Sequence, residues 1–179
     1  MRKNNRRPLK NTNTNPGTLS LRLLSWIVFW FFSNLLEQIL IMITLLSSHR
    51  DQLLAHASKT DPAECCGLIG GGEDLQARSI YSLRNMAPDS KVAYEAAPED
   101  LFAAQRQMRD RGEQLLAIYH SHPRSAEPAP SETDVRLAYY PQAVYFIIGL
   151  AGPRPVMRAF RISEREERWE EVEYAIADA

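Results

Sequence analysis

Two histidines stand two residues apart in the stretch YHSHPRSAEPAPSETD, residues 119–134, and an aspartate closes it. Along an extended strand, side chains at i and i+2 share a face, so His120 and His122 can address one point in space. Neutral imidazole is the commonest protein ligand for a metal. Two imidazoles and the carboxylate of Asp134 make a three-ligand set that leaves a fourth tetrahedral position open for water. An open position separates a catalytic zinc from a structural one. The loop between them holds Pro123, Pro128 and Pro130, whose fixed φ limits the entropy cost of presenting Asp134.

The same residues admit plainer readings. A His-x-His pair alone is a weak signal, and SETD is an ordinary capping box, with Ser131 as N-cap and an acid three residues on. The two readings are compatible, because a cap holds Ser131 and Asp134 at a helix start. Cys65 and Cys66 offer another chemistry, a cysteine nucleophile with a histidine base. Against it, ECCGLIGG reads as the edge of a buried strand, where thiols behave as small hydrophobes. His49 and His56 lack a spaced partner and read as ordinary helix and surface residues.

The elements that must position these groups alternate strand and helix from residue 42 onward. MITLL is β-like, and Ser47 or Ser48 can N-cap a helix through about Lys59. CGLIGGG is a short apolar strand; LQARSIYSLRN and KVAYEA have strand character, with turn chemistry in NMAPDS between them. APEDLFAAQRQMRDRG is the clearest helix, with Pro98 near its start, acids in the first turn and Gly112 as its stop. QLLAIYH and AVYFIIGL read as buried strands, and PVMRAFRI and RWEEVEYAI as alternating ones. The pattern predicts one α/β domain over residues 42–179.

The chain has 179 residues and a formal net charge of -1, which hides a split. Residues 1–41 carry six Lys or Arg and one acid; the remainder carries 15 basic against 21 acidic side chains. An acidic body argues against a nucleic-acid partner, which needs a positive face. The two cysteines are adjacent and form no disulfide framework, so a reducing cytoplasm is the expected compartment. Residues 1–19 are basic and Asn-rich, with the composition of a disordered tail. The apolar run that follows is 14 residues from Leu23 to Leu36, short of the roughly 20 that span a bilayer. Extending it to Leu46 places Glu37 in the membrane, at about 2.5–3.5 kcal/mol. No small-x-small cleavage site follows it. Residues 20–46 are therefore either a membrane anchor, or residues 1–41 precede a true start at Met42.

Taken together the spacing is more specific than its parts. His-x-His-Pro, seven residues, Ser, two residues and Asp stands here as His120, His122, Pro123, Ser131 and Asp134, and PAECCGLIGG lies upstream. This pattern resembles the signature of the JAMM (MPN+) zinc metalloproteases of the short bacterial type, over about residues 42–160. The resemblance implies a cytidine-deaminase-like fold, a mixed curved sheet flanked by helices. It implies a single zinc ion held by His120, His122 and Asp134, with Glu64 as general base and Ser131 steadying the oxyanion. The implied reaction is hydrolysis after the C-terminal Gly-Gly of a ubiquitin-like or sulfur-carrier protein. Only about ten residues separate Asp134 from AVYFIIGL, too few for the insertion that grips a ubiquitin chain. An exposed edge of KVAYEA around Tyr94 is expected to hold the Gly-Gly tail by strand addition. A catalytically silent scaffold of the same fold and a RadC-like protein remain as alternatives. An anchor at residues 20–46 would, by the positive-inside rule, turn the domain away from cytosolic carriers.

Overall fold

Strand β1 (Thr44–Leu46) runs directly into helix α1 (Ser47–Thr60), because Leu45 is drawn into the core while the polar run SSHRDQ favours a helix with one apolar face. The computed structural model describes residues 42–178. The basic and apolar segments of residues 1–41, and both readings of them, lie outside the described residues. Next come the antiparallel pair β2 (Cys66–Gly71) and β3 (Ala77–Leu83), then α2 (Pro98–Asp110) and β4 (Gln114–His122). A short α3 (Glu132–Arg136) precedes β5 (Val144–Gly149), β6 (Val156–Ser163), β7 (Arg168–Val172) and β8 (Ala175–Ala177).

Six strands form one mixed sheet in the order β3-β2-β4-β5-β6-β7, with β4 and β5 parallel and the other neighbours antiparallel. Helices cover both faces, so β5 carries an unbroken apolar run. Its Phe146 and Ile148 pack in one core with Leu53 and Ala57 of α1, and its Tyr145 and Ile147 in the other with Met108 of α2. The expected α/β architecture, a mixed sheet flanked by helices, is the one observed. Helix α2 has Pro98 as its first residue and Glu99 and Asp100 in its first turn. It ends where Gly112 takes φ +66°, a left-handed turn residue that glycine enters without steric cost. Among the described residues no helix is long and apolar enough to cross a membrane.

Three expectations are corrected. KVAYEA is not a strand: residues 84–97 form a loop with one isolated bridge, Asn85 to Ala96. The Asn85 side chain occupies the backbone groups a neighbouring strand would pair, donating to the Ala93 carbonyl and accepting from the amides of Ala87 and Glu95. Neither serine caps α1; the N-cap is Leu46, and Ser47 is already helical, its hydroxyl donating to the Ala177 carbonyl and Asp178 carboxylate. RWEEVEYAI divides, its second half leaving the large sheet as β8 to pair in parallel with β1.

Candidate metal centre

Strand β4 lies between β2 and β5, so its end is held from both sides. Cys66 of β2 faces His120 in the register. The pairing continues past the regular ladder: the Ser121 amide donates to the Cys65 carbonyl at 3.2 Å, and the Cys65 amide to Ser121 Oγ at 2.9 Å. One further step along this antiparallel register sets Glu64 opposite His122, and facing residues of such a pair project to the same side. Glu64 is also tied through its backbone to the 84–97 loop. Its amide donates to the Ser90 carbonyl at 2.6 Å and its carbonyl accepts from Asn85 Nδ2 at 3.0 Å.

Asp134 arrives from α3. Ser131 is the N-cap and the capping box is complete: Asp134 N donates to Ser131 Oγ, and Asp134 Oδ2 accepts from both the Ser131 amide and hydroxyl, at 2.7 and 2.6 Å. The cap and the chemical reading of SETD therefore coexist. His120 Nε2 and His122 Nε2 stand 3.0 Å apart; Asp134 Oδ1 lies 3.2 Å from the first and Asp134 Oδ2 3.3 Å from the second. Zinc ligands at tetrahedral positions and 2.0–2.1 Å bonds are about 3.3–3.4 Å from one another. The donor types suit zinc, and one ligand atom from each of the three residues lies within 4.8 Å of the others, close enough to share one ion.

Its charge state fits as well. His120 is wholly buried, and burial depresses its imidazole below the ordinary value, leaving the ring neutral. Tyr94 stacks on it with ring centroids 4.6 Å apart, and its Nδ1 has no hydrogen-bond partner among the described residues. Burial opposes ionisation of Asp134. The neighbouring His120 and hydrogen bonds from His120, His122 and Ser131 outweigh it, and the carboxyl lies well below the usual range. Glu64, 5% exposed, is pushed up to about 7 by burial and by Asp134, against the pull of His122. A carboxyl poised near neutrality can take and return a proton.

The competing chemistry does not survive. Both cysteines are buried, and burial lifts Cys65 to about 11 and Cys66 to about 12, far from a reactive thiolate. His56 lies on α1, its Nδ1 2.9 Å from the Tyr119 hydroxyl, while His49 Nδ1 accepts the Leu46 amide at the start of α1. Tyr94 sits on the loop against His120, not on an exposed strand edge, so strand addition at KVAYEA has no edge to use. Ser121 and Asn85 were not singled out from the sequence. A small polar residue between two same-face histidines and an asparagine ahead of a Pro-containing turn were the only traces of them.

A family model described as prokaryotic homologs of the JAB domain matches residues 46–163. The desampylase of Haloferax volcanii is 34% identical over 110 residues, 59% of this chain and 78% of that protein. The CysO-cysteine peptidase of Mycobacterium tuberculosis is 33% identical over 111 residues, 62% of this chain and 75% of that protein. A solution structure of a protein from Desulfitobacterium hafniense superposes with TM-score 0.68 at 34% identity, covering 77% of this chain and 94% of the other.

Proposed function

The chain belongs to the prokaryotic JAB-domain family, and from that membership we propose a zinc-dependent peptidase that hydrolyses the bond after the C-terminal Gly-Gly of a ubiquitin-like or sulfur-carrier protein. The observation that carries the proposal is the convergence of His120 Nε2, His122 Nε2 and the Asp134 carboxylate within 3.0–3.3 Å, beside a cavity that Glu64, His122 and Asp134 line. The relatives named as a desampylase and a CysO-cysteine peptidase support the same reading.

His120, His122 and Asp134 would hold the ion, which when bound supplies Lewis acidity to the scissile carbonyl and to the attacking water. Glu64 takes the proton from that water and returns it to the leaving amine, a task suited to a carboxyl near 7. Ser131 donates its hydroxyl to the developing oxyanion after turning it away from Asp134 Oδ2. Its working domain is residues 42–179, and its compartment the reducing cytoplasm, in keeping with two free cysteines. The test is mass spectrometry of a carrier protein fused through Gly-Gly to a reporter after incubation with the zinc-loaded chain. Cleavage after the second glycine, absent in Glu64→Gln, is expected; an intact fusion, or a cut elsewhere, overturns the proposal.

A further inference from the structure

A cavity of about 480 Å3 opens from the metal centre, with Glu64, His122 and Asp134 on one wall. A diglycine brings no side chains to fill it. Its lining also holds Lys91, Glu95 and Arg124, but one part is apolar: Leu68 and Ile118 on the sheet, Leu83 at the end of β3, Leu101 on α2 and Tyr145 on β5. In the register Leu83 faces Cys66, which faces His120, so these three form one row across three strands on one side of the sheet. Two strand spacings place Leu83 about 9–10 Å from the ligand His120.

That distance matches a peptide's own dimensions. Two extended glycines span about 7 Å, and the third residue from the scissile bond lies about 10 Å away. A diglycine laid along this row would bring the first side chain before it over Leu83 and Leu101, whereas a leaving residue's side chain would begin beside Glu64 and His122. At the mouth, Val92, Leu137 and Tyr139 remain exposed by 55%, 44% and 66%, an apolar rim in need of a cover.

Resting on the Gly-Gly cleavage proposed above, we infer that this cavity is a specificity pocket for a bulky apolar side chain on the residue preceding the diglycine. Binding of product peptides tests it without any cleavage. Fluorescein-labelled decapeptides ending Leu-Gly-Gly or Ser-Gly-Gly are titrated with the full chain and read by anisotropy. The leucine peptide is expected to bind about 10- to 100-fold more tightly, as burying a large aliphatic side chain implies. The preference shrinks in Leu101→Gln and in the surface variant Tyr139→Ser, with the serine peptide unaffected. Equal binding of the two peptides, or no binding of the leucine peptide, overturns the pocket. A leucine preference seen only with peptides that begin with leucine, the leaving-side product, overturns its placement. Because no bond is cut, failure of the cleavage reaction reads out separately, in the fusion assay.

Discussion

Ser121 accepts the Cys65 amide on its hydroxyl at 2.9 Å while its own amide donates to the Cys65 carbonyl, fastening β2 to the end of β4 beyond the regular ladder. That clasp sets Glu64 across from His122. Ser121→Ala leaves the buried Cys65 amide short of a partner, which costs about 1–3 kcal/mol in urea unfolding. Zinc content should stay at the wild-type level, since the ligands project to the other face, while kcat falls more than KM rises. Loss of zinc in this variant would show that Ser121 shapes the ligands themselves.

Metal content is the direct check on the ligand set. The purified chain should carry one zinc ion by elemental analysis, and His120→Ala with His122→Ala should carry none. Stripping with a chelator abolishes cleavage and zinc restores it. A folded wild-type chain that takes up no zinc would leave the scaffold reading in place.

Glu64→Gln should keep zinc and lose about 10²- to 10⁴-fold in kcat, the usual share of a general base. The same residue shapes stability in the metal-free protein. Its folded pKa, about 7, lies above the ordinary 4.5, so the folded state is favoured at low pH and loses that contribution as pH rises through 7. The difference corresponds to about 3 kcal/mol. Between pH 5 and 8, urea midpoints of the metal-free wild type should therefore fall relative to those of Glu64→Gln, a difference in which the opposite contribution of the depressed His120 cancels. Parallel curves would mean that Glu64 ionises in the folded state much as it does in the unfolded chain.

The cap that Ser131 forms and the oxyanion role proposed for it separate on substitution. Ser131→Ala removes an N-cap, worth about 1 kcal/mol, and loosens Asp134, which would show as weaker zinc affinity. Loss of an oxyanion donor would instead lower kcat by about 10²- to 10³-fold at saturating zinc. Measuring zinc affinity and saturated kcat on the same preparation tells them apart, and the second pattern is expected.

Cys65 and Cys66 should resist iodoacetamide in the native protein at neutral pH and react once it is unfolded, in line with their burial. Rapid native labelling that also stopped cleavage would reopen the thiol chemistry.

The candidate ligands could be read from the sequence because His120 and His122 obey a strand's two-residue period and Asp134 lies within one helix cap of Ser131. Both relations are local. Glu64 could not be read that way, since what brings it to His122 is the long-range pairing of β2 with β4, and only the family resemblance pointed to it. Tyr94 was misplaced for a similar reason. The residues around it alternate like a strand, but Asn85 takes up the backbone bonds a strand needs and folds the loop onto His120. The departure of β8 from the large sheet is likewise decided by its partner β1, at the other end of the described residues.

That last pairing bears on how the protein is made. Leu45 is fully buried, and its strand has Ile176 as its register partner, with Ala175 bonded to Ile43. During synthesis the ribosome releases β1 well over a hundred residues before β8, so the nascent chain holds Leu45 without its partner strand until Ala175–Ala177 has emerged. A polypeptide cut short before Ala175 should consequently be a substrate for chaperones and quality-control proteases, even though every residue of the proposed catalytic centre has already been made.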